Sequence, residues 1–395
     1  MEQDQLYYPI TIMLKLTDFC PNNCLDGKYC FSGCNPNART WIDRGKILDI
    51  FQQAKEIGMT EVAYISTEPF TNVDFLVDVI KKARQAEIAS RFLVTNGKIG
   101  ITYNNARDCF KKIQDSGFDF TIDETYLGTG YNGIDVSVDQ FHKIPAEHTS
   151  NTILAALEVF GPTNFVSIRT TDPSDKYKDP KTLNEVVRYL QESGKVQGIN
   201  YKTKEIVFVD RSRVIVNHIS AAKFGNAKTL PDDFFKWHEF SLEELVETKD
   251  LRECSFLPLS LKPLPYHKLY IDPNGQTNPD LSRAEVLRGG SVYDTPVSKA
   301  IENINSNPLV ALMISYGFAG VLTILKKKFG VSLDLKATSG LDLRDRYLSQ
   351  IDLMEQVKTF IRESGLEKQL RAESCPVLAR SRDLIGKRRL EIIFD

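Results

Sequence analysis

Apolar and polar positions along residues 1–230 repeat one order, a short β-like run followed by a stretch with helical spacing. Ile10–Leu16 reads as a strand. Asp43–Ile57 reads as a helix with Ile47, Leu48, Ile50, Phe51 and Ala54 on one side. Val62–Ser66, Phe92–Thr95, Ile134–Val138 and Phe165–Arg169 read as strands. They alternate with helices at Phe75–Ala86, Asn105–Asp115, Thr152–Phe160 and Thr182–Glu192, and Glu205–Val209 and Arg213–His218 then read as β. Strands alternating with helices predict a parallel sheet. Five or six such units predict an α/β fold, a partial (β/α)6 TIM-like barrel over residues 1–230. Chemistry in such barrels sits at the C-terminal ends of the strands.

The pattern changes after residue 230. An acidic stretch opens at Pro231-Asp232-Asp233, with a helix at Leu242–Thr248. Tyr266–Ile271 is β-like and ends in Asp272-Pro273-Asn274-Gly275, which predicts a tight turn and a hairpin. This makes 231–290 a linker and hairpin segment and 291–395 a mostly helical C-terminal module. Within that module Leu309–Leu325 carries no charge. On length alone it is near the lower limit of a membrane span. Pro308 before it and Gly317 and Gly320 inside it predict instead two short buried helices with a turn near Gly317.

Composition changes the picture in a few places. The 395 residues are 42% hydrophobic and 26% charged, as expected of a globular chain with a large core. A formal net charge of −2 argues against a general affinity for nucleic acid. The start, MEQDQLYYPI, lacks the basic and apolar regions of a secretory signal. Seven unevenly spaced cysteines argue against a secreted disulfide framework, so a reducing cytoplasm is the expected compartment, with no membrane partner.

The cysteines carry the candidate chemistry. Cys20, Cys24, Cys30 and Cys34 follow directly on the first strand, at its C-terminal end. Thiolates this closely spaced are soft ligands for an iron–sulfur cluster or for zinc. A C-x3-C-x5-C-x3-C run could also close a structural four-cysteine zinc knot in an α/β-barrel binding or scaffold protein.

An apolar strand, then Cys-x3-Cys, then a third cysteine after an aromatic residue resembles the cluster loop of the radical S-adenosylmethionine (radical SAM) enzymes. Their common spacing is Cys-x3-Cys-x2-Cys; here five residues separate Cys24 from Cys30, Tyr29 keeps the aromatic place and Cys34 is a spare thiol. Glu68-Pro69 resembles the end of the family's Gly-Gly-Glu-Pro motif, with Ser66 and Thr67 in place of the glycines. Thr95-Asn96-Gly97 is a common ending of the third strand. Ser137-Val138-Asp139, followed by Phe141-His142, resembles a Ser-x-Asp stretch, and Arg169 closes the fifth strand. Gly225-Asn226-Ala227 resembles a Gly-Arg-Ala stretch, with Asn226 in place of Arg.

The resemblance implies that Cys20, Cys24 and Cys30 ligate a [4Fe–4S] cluster that leaves one iron open for S-adenosylmethionine (SAM). Tyr29 would lie against SAM, Glu68 would hold its amino group, and Ser137, Asp139 and Arg169 would contact the ribose and carboxylate. Each has an ordinary alternative. Glu68 could be a helix-start acid, Ser137 and Asp139 turn residues, Arg169 a salt-bridge partner and His142 a surface histidine.

Cys254 and Leu269–Gly275 resemble the SPASM or twitch extension of peptide- and natural-product-modifying members. Asp280 stands about where that extension carries a cysteine, and only Cys254 and Cys375 remain in this half. Two thiols are too few for an all-thiolate cluster, which predicts an extension without an auxiliary one. The resemblance implies reductive cleavage of SAM to a 5′-deoxyadenosyl radical that takes hydrogen from a small-molecule or peptide substrate in natural-product or cofactor biosynthesis. The electron would come from a low-potential donor such as flavodoxin or ferredoxin. The chain begins almost at the first strand, which leaves no room for a leader-peptide domain and favours a small molecule.

Overall fold

The structure is a computed structural model. It describes residues 7, 9–22, 24, 30, 34, 36–65, 68–119, 133–161, 166–200, 204–210, 212–221, 223, 225–242, 268–279 and 284–373. Tyr29, the two positions before Glu68, Asp280, Cys254, Cys375 and most of the expected 242–248 helix lie outside these residues.

Six parallel neighbours form the barrel wall: Thr11–Leu14 (β1), Glu61–Tyr64 (β2), Ala89–Thr95 (β3), Gly133–Ser137 (β4), Val166–Asp172 (β5) and, skipping two strands in sequence, Arg213–Ser220 (β8). Helices follow the first five: Ile47–Glu56 (α1), Val73–Gln85 (α2), Tyr103–Ser116 (α3), Ala146–Phe160 (α4) and Lys181–Glu192 (α5). The partial β/α barrel expected from the pattern is present. Helix ends follow local chemistry. The Thr102 side chain accepts the Asn105 N–H ahead of α3, and Gly117 ends that helix in the left-handed region.

The skipped strands, Val196–Asn200 (β6) and Glu205–Phe208 (β7), form an antiparallel hairpin on the free edge of β8. The sequence pattern did not predict β6. Its residues are half-exposed or exposed and include Gly198, so no alternation marks it. His238–Glu239 (β9) pairs far along the chain with Lys336–Ala337 (β13). At the opposite edge of the main sheet, Lys268–Ile271 (β10) lies parallel to β1, and the expected hairpin continues it through Gln276–Asn278 (β11) to Gly290–Ser291 (β12).

The C-terminal region is helical: Val297–Asn305 (α6), Pro308–Phe329 (α7), Gly340–Leu348 (α8), Ile351–Glu363 (α9) and Leu366–Glu373 (α10). Gly317 interrupts α7 with φ 64° and ψ −169°, and the two halves meet at 120°. This is the break that the glycines predict. No single helix among the described residues is long and apolar enough to cross a membrane.

Strand alternation sorts the two faces of the wall. Ile12, Leu14, Val62, Tyr64, Leu93, Ile134, Val136, Val166, Ile168 and Val214 pack outward into the main core with the helices. Met13, Ala63, Ile65, Phe92 and Tyr270 form a separate buried cluster on the inner face. Because the six strands are parallel, the segments that leave them all emerge at one end.

Candidate functional site

The segments that follow β1, β2, β3, β4 and β8 meet at that C-terminal rim. Cys20, Cys24, Cys30 and Cys34 follow β1. Cys24 and Cys34 are buried, and Cys20 and Cys30 half-buried. The Cys34 N–H donates to Cys30 Sγ at 3.3 Å. Burial pushes the Cys20 and Cys24 thiols up to about 12, and each also feels Cys30. Cys34 is raised too, by its hydrogen bond to Cys30 first and by burial second. As isolated thiols Cys20, Cys24 and Cys34 stay protonated; a bound cation is what would favour thiolates.

Glu68 follows β2. Its carboxylate is buried and accepts the Phe70 N–H at 3.2 Å, the Thr95 hydroxyl at 3.0 and 3.2 Å, and the Asn96 N–H at 2.6 Å. All three donors are uncharged. Burial pushes this carboxyl up to about 7, although the hydrogen bonds pull it down. Glu68 does cap the short 3-10 turn Pro69–Asn72, so the ordinary reading of a helix-start acid holds as well. The same group lies within electrostatic reach of Cys20. The Asn96-Gly97 turn brings the chain around from β3, and Gly97 takes φ 80°, a conformation that suits glycine.

After β4, one oxygen of Asp139 accepts the Phe141 N–H, the His142 N–H and a bond from His142 Nδ1 at 2.8 Å. Burial lowers the His142 imidazole, but Asp139 outweighs it and holds the ring above its ordinary value. His142 in turn acts electrostatically on Glu68, and Asp139 on Cys24. Ser137, the last residue of β4, stands in register with Arg169 on β5. Arg169 itself pairs with Asp135, which also accepts the Ser167 hydroxyl. Asp135 lies between the outward-facing Ile134 and Val136, so this network lines the inner face.

Glu68, Asp139 and the four cysteines therefore share one end of the sheet, whereas Arg169 is committed to a wall network. Two further residues serve the site in ways the sequence did not announce. Asn226, beyond β8, gives its backbone N–H to the Cys30 carbonyl at 3.1 Å and its side-chain amide to the Cys34 carbonyl at 3.3 Å. No local signal marks that role. Lys15 is fully buried and pairs with Asp18 at 2.6 Å, close enough to act on Cys34. Here a signal existed, a lysine inside the apolar run Ile12–Leu16.

The donor set suits an iron–sulfur cluster, because several soft sulfur donors stand together on one loop. Among the described residues no group of three or more His, Cys, Asp or Glu side chains is placed to hold a single metal ion. Four cysteines are also the number of ligands that a structural zinc site uses.

No protein-family model and no curated protein matches the sequence. Among solved structures, anSMEcpe with bound AdoMet is similar at 12% identity and a TM-score of 0.46, over 89% of this chain and 100% of that one. Streptococcus suis SuiB bound to precursor peptide SuiA is 13% identical with a TM-score of 0.41, over 82% of this chain and 75% of that one. BtrN in complex with AdoMet and 2-DOIA is 10% identical with a TM-score of 0.37, over 78% and 88%. These are distant resemblances in the path of the chain.

Proposed function

We propose that this chain is a radical SAM enzyme. The observation that carries the reading is the meeting, at one end of a parallel sheet, of a four-cysteine loop with a buried carboxylate whose hydrogen-bond donors are all uncharged. When bound, a [4Fe–4S] cluster and SAM supply a 5′-deoxyadenosyl radical that removes hydrogen from a substrate. In this reading Cys20, Cys24 and Cys30 hold the cluster and Tyr29 lies beside SAM. Glu68 takes the ammonium group, the charge its buried carboxylate lacks. Ser137 and Asp139 line the ribose side. Asn226 fixes the cysteine loop from across the barrel.

In this reading the substrate would approach the inner face, where Met13, Ala63, Ile65, Phe92 and Tyr270 form a buried apolar cluster and Asp135, Ser167 and Arg169 a polar network. That mixture suits a small molecule or a peptide side chain with both apolar and polar groups. A low-potential flavodoxin or ferredoxin is the expected electron donor.

The test is anaerobic reconstitution with iron and sulfide, then iron counting, electron paramagnetic resonance with and without SAM, and an assay for 5′-deoxyadenosine. About four irons per chain, a spectrum that responds to SAM, and 5′-deoxyadenosine formation are expected. Tightly held zinc without iron uptake or SAM cleavage would overturn the reading in favour of a zinc-knot scaffold.

A further inference from the structure

We infer that Asn96, rather than Arg169, donates the hydrogen bond that recognises the carboxylate of SAM; this rests on the radical SAM reading. Asn96 is only 6% exposed. Its side-chain Nδ2 is buried and has no hydrogen-bond partner among the described residues. The amide cannot be turned over to relieve this. Its Oδ1 accepts the Lys98 N–H at 2.8 Å, and a flipped amide would set donor against donor. A buried donor without an acceptor is rare in folded proteins and calls for an explanation.

The surroundings indicate what the acceptor is. The Asn96 backbone N–H bonds to Glu68 at 2.6 Å, so a carboxylate whose hydrogen-bond donors are all uncharged and an amide with no acceptor among the described residues stand side by side. An α-amino acid presents an ammonium and a carboxylate on one carbon, which matches that pair. Asn96 also continues the inward alternation of Phe92 and Val94, both packed on the inner-face cluster. Lys98 and Glu68 both act on Cys20, so the corner adjoins the cysteine loop. Arg169, the residue expected to take the carboxylate, is instead engaged by Asp135.

The experiment measures equilibrium binding of SAM and of decarboxylated SAM to the anaerobically reconstituted protein. The variants are Asn96→Ser, Asn96→Asp and Arg169→Gln. Ser and Asp both keep an oxygen for the Lys98 N–H, so the turn is retained. The preference of wild type for SAM should fall roughly tenfold or more in both Asn96 variants, the range of one hydrogen bond to a charged group. Arg169→Gln should leave it within about twofold, and binding of decarboxylated SAM should be unchanged in Asn96→Ser. An unaltered preference in both Asn96 variants, or its collapse in Arg169→Gln alone, overturns the inference and spares the radical SAM reading. Wild type binding neither compound removes both.

Discussion

The Glu68 carboxylate accepts the backbone N–H of Asn96 at 2.6 Å, joining the loops that follow two neighbouring strands, β2 and β3. The bond holds a buried acid at the rim of the barrel, where burial raises it to about 7.

That position makes SAM binding depend on pH. An ammonium ligand needs the ionised carboxylate, so affinity should rise as pH passes upward through about 7. Without ligand the sign is opposite. Between 4.5 and about 7 the folded chain keeps a proton that the unfolded chain has lost. The stability contributed by this group is therefore complete below 4.5 and is lost as pH rises through about 7. Glu68→Gln should flatten both profiles, measured by SAM titration and by thermal unfolding across that range. If the Glu68→Gln variant keeps the wild-type profiles, another group is responsible.

The inserted spacing of the cysteine loop leaves two thiols for one place. Cys34 gives its backbone N–H to Cys30 Sγ, a bond that survives truncation of the Cys34 side chain. Cys30→Ala should therefore lose most of its iron, while Cys34→Ala should keep about four irons per chain. Iron and sulfide analysis after reconstitution decides it; equal losses would make Cys34 a ligand.

Breaking the inner-face pair should cost stability. Arg169→Met leaves the buried Asp135 carboxylate with the Ser167 hydroxyl and without its guanidinium. The expected loss is roughly 2–3 kcal/mol, below that of a fully buried pair because Arg169 is partly exposed. Adding Asp135→Asn should recover much of it in chemical denaturation. An additive double variant would mean that the two residues do not act as a pair.

The bend in α7 depends on one residue. At φ 64° and ψ −169°, Gly317 occupies a region essentially closed to other residues, so Gly317→Ala should cost about 1–3 kcal/mol. Gly330, at φ 64° and ψ 20° with open space at its Cβ position, is the control and should lose only about 1 kcal/mol as Ala. Thermal denaturation that ranks Gly330→Ala as the more damaging would contradict this account.

The barrel was legible because its units are local. Each strand carries its apolar face within a few residues, and each helix its stripe within two or three turns. The Gly317 break was legible for the same reason, since an uncharged run with two glycines cannot remain one straight helix at little cost. The rim residues could be named because parallel strands send every following loop to the same end. The edge strand β6 was harder, as its edge position removes the pattern that burial would impose.

Partnerships across the chain were another matter. Lys268 lies opposite Thr11, Asn226 reaches the carbonyls of Cys30 and Cys34, and Arg169 turns to Asp135 on the neighbouring strand. None of these leaves a local trace, since one Arg or Asn has the same side chain whatever it meets. The sequence alone determined the alternation of barrel strands and helices and the end of the sheet where cysteines and carboxylates gather. Only the tertiary structure decided which polar groups satisfy one another and which, like Asn96 Nδ2, find no partner among the described residues, because hydrogen-bond satisfaction depends on neighbours brought in from distant parts of the chain.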